Sequence, residues 1–198
     1  MIAIVDYGAG NLFSVQNALD YLGIKSVVTS EKSVLEQADK IILPGVGAFP
    51  VAMQMLKKTN LIDTLKAEAS QKPLLGICLG MQMLFDESYE FSKTAGLGFI
   101  EGKVDKIADM GLKIPHMGWN ELVIDKESPL MHEIKQGDCV YFVHSFMATT
   151  PKENIVAHCE YGCDVVALVS KGNVYGAQFH PEKSGDVGLK IFKNFCNL

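Results

Sequence analysis

The run Gly76-Ile77-Cys78-Leu79-Gly80 restricts the fold of this chain most, because it follows the apolar Leu74-Leu75 directly and leads into the helix-compatible Met81-Gln82-Met83-Leu84-Phe85. That order is the strand, sharp turn and helix of a nucleophile elbow, with Cys in place of Ser. The glycines two residues to either side relieve crowding in the turn, which thrusts the side chain out at the carboxyl end of a sheet. A buried cysteine in a tight strand-to-helix turn is the plainer reading of the same residues.

The first half of the chain supplies such a sheet. Ile2-Ala3-Ile4-Val5 reads as a buried strand, and Leu12, Val15, Leu19 and Leu22 recur at helical spacing until Gly23 stops the helix. Ser26-Val27-Val28 and Lys40-Ile41-Ile42-Leu43 are further strands. A helical stretch carrying Ala52, Met55, Leu56, Ile62, Leu65 and Ala69 then leads to Leu74-Leu75-Gly76-Ile77. In the second half, Val140–Val143, Val165–Val169 and Val174–Phe179 are strand-like runs without long helices between them, so antiparallel additions are expected there. A closing helix begins near Ser184 or Asp186 and places Val187, Ile191 and Phe195 on one face. These patterns predict an α/β fold, three-layered and flavodoxin-like, around a mixed, mostly parallel sheet. With 198 residues, 48% hydrophobic, and no repeat or linker, residues 1–198 are expected to form one domain.

The formal charge of -5 and the scattered Lys and Arg offer no footprint for a phosphate backbone, so nucleic acid is not an expected partner. No apolar run approaches the ~18 residues that span a bilayer, and no basic segment precedes one, which predicts a cytoplasmic chain that leaves membranes alone. The five cysteines are odd in number and lack C-x-x-C spacing, against both a disulfide framework and a structural zinc site. Cys159 and Cys163 with His158 fall short of a closed tetrahedral set and read as small buried residues; no metal is expected. Tyr7-Gly8-Ala9-Gly10-Asn11 lacks the third glycine of a dinucleotide fingerprint, Phe13 standing there, so no cofactor is expected. It reads as a tight turn in which Asn11 caps the next helix.

At the start of a helix, the Cys78 thiol would have unpaired N–H groups and the positive dipole end beside it, favouring the thiolate that attacks carbonyls. Cleaving an amide also needs an imidazole to protonate the leaving nitrogen. Of the five histidines, His180 lies at a strand end fixed by Pro181, and Glu182, two residues on in an extended segment, points the same way and can accept its Nδ1–H. His144 also follows an apolar strand but lacks a nearby carboxylate; His116, His132 and His158 have no comparable setting. Cys78, His180 and Glu182 are therefore the candidate triad. The Leu79 N–H supplies one oxyanion donor, and Pro44-Gly45-Val46-Gly47, ending the third strand on the same sheet edge, can supply a second at Val46 and Gly47. An ordinary turn is the alternative there.

Together Pro44-Gly45-Val46-Gly47, Gly76–Gln82 and His180-Pro181-Glu182 resemble the signature of the class I, or triad, glutamine amidotransferases, in order and in spacing. Asp6–Leu12, Pro115–Asn120 and Tyr141–Phe146 are similar to the branch of that family serving histidine biosynthesis, and the likeness runs over nearly the whole chain. The resemblance implies L-glutamine as substrate, a Cys78 thioester, proton shuttling by His180 and orientation by Glu182. It implies that Gln82 and Glu90, with backbone at Gly47, Ser145 and Phe146, hold the α-amino and carboxylate end of glutamine. It also implies a heterodimer with a β/α-barrel cyclase (synthase) subunit that takes up the ammonia to form an imidazole ring. Asn11, Trp119, Tyr141 and Lys183 would then face that barrel, core packing being the other reading of Trp119. The glycines flanking Val46 suggest a peptide that rotates to complete the oxyanion hole once the partner holds its acceptor. Three rivals are to be set against this: a same-class glutaminase serving a different synthase, a cysteine peptidase or hydrolase on a similar fold, and a non-catalytic flavodoxin-like binding module.

Overall fold

The computed structural model describes all residues 1–198. The apolar runs of the first half become β1 (Ile2–Val5), β2 (Ser26–Thr29), β3 (Lys40–Gly45) and β4 (Leu74–Cys78), joined by α1 (Leu12–Tyr21), α2 (Lys32–Gln37), α3 (Phe49–Lys58) and α4 (Ile62–Ala69). β1 and β4 are buried throughout and β3 from Ile41 onward. That is why they read as continuous apolar runs: a parallel sheet is covered on both faces. The stretch read as one helical segment before β4 is two helices, because Asn60 takes a φ of 58° between them and breaks the turn.

After β4 come the one-turn helix α5 (Leu79–Gln82), then β5 (Phe85–Ser88), β6 (Thr94–Ala95), β7 (Ile100–Lys106), β8 (His116–Glu121), β9 (Val123–Ile124), β10 (Cys139–His144), β11 (Phe146–Thr149), β12 (Ile155–Glu160), β13 (Asp164–Lys171), β14 (Val174–Ala177) and the closing helix α6 (Gly185–Cys196). The main sheet has the order β2-β1-β3-β4-β14-β13-β12-β9. Its first five strands run parallel. The last three are the antiparallel additions. The mixed, mostly parallel α/β sheet is thus as the sequence predicts, with one correction: the run at 174–179, grouped with the antiparallel strands, lies parallel to β4, Ala177 opposite Ile77.

A second correction concerns the segment after the elbow. Its helix ends at Gln82, because the fully buried Phe85 pairs with Ile100 of β7, and strand pairing takes over from the helix. β5 then belongs to a four-stranded sheet of order β11-β7-β5-β6, while β8 and β10 form a separate antiparallel pair. Apolar clusters fill both faces of the main sheet, one around Phe49, Leu56, Leu65 and Phe85, the other around Leu19, Phe142, Phe179 and Phe192. In α6 the buried stripe is Ile191, Phe192 and Phe195, with Val187 at its margin. No helix is long and apolar enough to cross a membrane.

Candidate active site

Because β3, β4 and β14 are parallel neighbours, the segments leaving their carboxyl ends share one sheet edge, the usual place for a ligand crevice in an open α/β sheet. Gly45 lies opposite Cys78, so the Pro44–Gly47 turn flanks the elbow on one side, and the chain leaving β14 brings His180 to the other. Cys78 holds φ 54° and ψ -111°, a backbone conformation that side chains with a Cβ seldom adopt. The N–H of Leu79, first residue of α5, has no partner within the helix. Since α5 is a single turn, it offers the sulfur nearby N–H groups rather than a long dipole.

His180 Nδ1 stands 2.7 Å from Glu182 Oε1, and the Glu182 side chain is wholly buried. The pair meets for a reason the sequence did not suggest. Pro181–Lys183 form a turn of 3-10 helix, not an extended segment, and the turn curls the carboxylate back onto the ring. Asn11, read as a helix cap, makes no capping bond; its Nδ2 donates to Glu182 Oε1 at 3.2 Å. Ser184, read as a helix start, uses its hydroxyl to donate to the His180 carbonyl at 2.7 Å and to accept the Tyr141 N–H at 2.9 Å. With His180 N–H donating to the Tyr141 carbonyl at 2.9 Å, the turn is tied to β10 at two points.

Burial alone would lower the pKa of His180, but the Cys78 sulfur and the Glu182 carboxylate beside it favour the imidazolium more strongly and hold it up at about 9. A protonated ring at neutral pH is what a departing amine requires. The shift also has a thermodynamic consequence. A histidine bound to its proton more tightly in the folded than in the unfolded chain stabilises the fold fully below the ordinary value of 6.5, and that contribution is lost as pH rises through about 9. Tm followed by calorimetry is expected to decline between these limits, and to decline less in Cys78→Ala, which removes one of the two raising groups.

These residues border a cavity of about 360 Å³ lined by Val46, Gly47, Cys78, Leu79, Gln82, Glu90, Ser145, Phe146 and His180, so the structure gathers the proposed oxyanion and substrate residues around one space. It adds Pro115, Val143 and His144, which lie in the stretches Pro115–Asn120 and Tyr141–Phe146 but had been given no place in the site. Two orientations inside it are dictated by hydrogen bonding. Gln82 Nε2 donates to the Phe146 carbonyl and to Gln178 Oε1, both at 3.0 Å; a carbonyl can only accept, so the amide cannot turn over, and Gln82 is left with Oε1 as its free acceptor. Glu90 accepts the Phe49 N–H at 2.7 Å on Oε2, which ties it to the start of α3. Gly47 holds φ 100°, a conformation that suits glycine, while Val46 beside it is 43% exposed.

The residues read as partner-facing are separate from the cavity lining. Trp119 is 56% exposed, which excludes core packing, and stands edge-on to Tyr141 with ring centroids 6.0 Å apart. Lys183 is exposed; Asn11 and Tyr141 are half-buried.

A family model for "Glutamine amidotransferase class-I" matches residues 3–197. The chain is 51% identical over 196 residues to imidazole glycerol phosphate synthase subunit HisH of Bacillus cereus (strain G9842), covering 98% of this chain and 93% of that one. It is 50% identical, with the same coverage, to the HisH subunit of Bacillus thuringiensis (strain Al Hakam). Among solved structures, PurLQS from Thermotoga maritima superposes with a TM-score of 0.74 at 23% identity, covering 99% of this chain and 97% of that one. A structure described as a glutamine amidotransferase gives 0.77 at 21%, covering 100% and 98%; at such identities these two speak for the fold. A cysteine elbow, an imidazole tied to a carboxylate, and a family match from the first strand to the last helix lead to one statement: the chain belongs to the class I glutamine amidotransferases.

Proposed function

We propose that this chain, working as one domain, is the glutaminase subunit of an imidazole glycerol phosphate synthase. Two supports carry that reading: the geometry at Cys78 and the identity of half its residues to HisH subunits over nearly the full length. The sulfur of Cys78 attacks the side-chain amide carbon of glutamine, and the oxyanion that forms is met by the N–H of Leu79 and by the Val46–Gly47 segment. His180 passes its proton to the nitrogen as the C–N bond breaks, so ammonia leaves and a glutamyl thioester remains. The now neutral His180 takes a proton from water, whose oxygen attacks the thioester carbon; glutamate departs and the thiol is restored. Glu182 keeps the imidazole in the tautomer that presents Nε2 to the sulfur throughout.

Recognition of the amino-acid end falls to the acceptors facing the cavity, Gln82 Oε1 and the Glu90 carboxylate, which suit an ammonium group; backbone at Gly47, Ser145 and Phe146 serves the α-carboxylate. Ammonia released into water would be protonated, so the reaction has value only with an acceptor enzyme docked alongside. The exposed Trp119, with Asn11, Tyr141 and Lys183, forms the face proposed for a β/α-barrel synthase subunit, in the cytoplasm where nucleotide intermediates reside. The Val46 peptide is proposed to complete the oxyanion hole when that partner holds its ribonucleotide. Glutamate release measured with and without the barrel subunit and its ribonucleotide is expected to rise on the order of 100-fold with both present, the size of a strong allosteric coupling. Trp119→Ala should weaken the complex by about 2 kcal/mol, the loss typical of an aromatic anchor. Activity dependent on Cys78 but indifferent to that pair would assign the glutaminase to another synthase, and cleavage of a peptide without turnover of glutamine would overturn it.

A further inference from the structure

Two buried histidines have no place in the steps above. His116 is fully buried and His144 nearly so, and they sit opposite each other in the β8–β10 ladder. His116 Nδ1 is 3.0 Å from His144 Nε2, and His144 Nδ1 is 2.8 Å from the Phe146 carbonyl. The carbonyl fixes the proton on His144. It can only accept, so His144 must carry its hydrogen on Nδ1. Burial holds His144 neutral, its pKa pushed down to about 4, so Nε2 has no hydrogen and must accept from His116 Nδ1–H. Burial lowers the pKa of His116 as well, while its Nε2 lies 2.8 Å from Asn120 Oδ1 at the far end of the row. The His116 ring cannot swing out of line, being stacked at 4.7 Å on Phe142 and at 4.0 Å on Tyr161.

The row ends on an atom that matters to the cavity. The Phe146 carbonyl is the same oxygen that accepts from Gln82 Nε2, and that bond decides which end of the Gln82 amide faces the ligand. Gln82 passes on to Gln178, whose Nε2 lies 3.9 Å from Cys78 Sγ. We infer that His116 and His144 are positioning residues for the amino-acid end of the substrate: acting through the Phe146 carbonyl, they hold Gln82 with its oxygen toward the cavity and fix the Ser145–Phe146 backbone beside it. Without His144 the carbonyl loses one of its two donors and the peptide is free to tilt. The inference rests on the glutaminase reading and extends it to two histidines that take no part in the bond-making steps, of which His144 also lines the cavity.

The test uses a glutamine analogue with a γ-electrophile, 6-diazo-5-oxonorleucine, which alkylates the nucleophile only after the amino-acid end is bound. Intact-mass kinetics separate KI, which reports recognition, from kinact, which reports the thiol. Iodoacetamide alkylation of Cys78 reads the thiol without recognition. His144→Leu is expected to raise KI about tenfold with little change in kinact or in the iodoacetamide rate. His144→Asn places an amide donor near the position of Nδ1 and should recover most of the loss. His116→Phe keeps the stack between Phe142 and Tyr161 but breaks the row; a rise of about threefold in KI is expected, and this variant decides the matter if His144→Leu does not fold. An unchanged KI in the variants overturns the inference, as does equal damage from Asn and Leu, which would make the effect one of packing. Failure of the analogue to label the unmodified protein, whose Cys78 still reacts with iodoacetamide, would sink the glutaminase reading itself, a separate outcome.

Discussion

Replacing Cys78 by alanine or by glycine is expected to lower glutamate release at least ~10⁴-fold, yet the two inactive proteins should differ in stability, with glycine the higher melting. The first expectation follows from the chemistry, since removal of a nucleophile leaves only binding and oxyanion stabilisation. The second follows from the backbone. At φ 54° and ψ -111° any Cβ is crowded, and a residue held in such a sparsely populated region costs roughly 1–3 kcal/mol. Alanine keeps that strain and glycine removes it, at a smaller loss from the greater freedom of the unfolded chain. A net gain of about 1 kcal/mol for Cys78→Gly over Cys78→Ala corresponds to roughly 2–4 °C in Tm for a chain of this size. Differential scanning calorimetry of the two variants checks it. Equal melting temperatures would mean that the elbow stores no strain and that the cysteine could sit there without help from its surroundings.

Gly80→Ala should be the most damaging single-methyl addition in the molecule's centre. A Cβ at Gly80 would stand 1.9 Å from the carbonyl oxygen of Leu43 and 2.9 Å from its carbonyl carbon, both backbone atoms of β3. A flexible side chain could turn aside, but a strand in the middle of a parallel sheet cannot, because its hydrogen bonds to β1 and β4 fix its position. Either β3 moves, carrying the Pro44–Gly47 turn with it, or α5 rises and takes the Leu79 N–H away from the elbow. Overpacking usually costs 1–3 kcal/mol, and a clash with backbone that cannot turn aside places this case at about 4 kcal/mol. Tm is expected to fall by roughly 8–16 °C, and whatever protein remains folded should release glutamate at least ~10²-fold more slowly, the loss associated with a misplaced oxyanion donor. A variant with near-normal stability and activity would show that the β3–α5 contact has slack that the atomic positions deny.

How much of this was legible beforehand varies with the kind of signal. The parallel core was readable because fully buried strands leave unbroken apolar runs, as at Ile2–Val5 and Leu74–Leu75. The elbow was readable because glycine at 76 and 80 is a steric necessity of the turn, and necessities of that kind are written in residue type. Pairing was less accessible. Nothing in Val174–Ala177 distinguishes a strand parallel to β4 from an antiparallel one, because that depends on which edge remains open when the chain returns. The contact of His180 with Glu182 was reached by the wrong route, an extended segment standing in for a 3-10 turn. Both conformations can bring residues two apart together, so the pairing survived while its reason did not. Asn11 and Ser184 do stand immediately before α1 and α6, as read, but neither side chain caps its helix; they serve Glu182 and His180 instead. His144 was set aside for want of a neighbouring carboxylate, although its partner is a backbone carbonyl, which no residue type announces.

The place of β14 in the sheet has a bearing on how the protein comes into being. This strand inserts between β4 and β13, and it alone brings the proposed base, His180, to the proposed nucleophile, with Gln178 just past its end lying a hundred positions after Cys78. On the ribosome the cysteine therefore emerges long before the imidazole proposed to protonate its leaving group. A stalled or truncated translation product can bury much of the first half of the sheet and still be unable to cleave anything. With these roles, the architecture defers enzymatic competence to the last moments of synthesis.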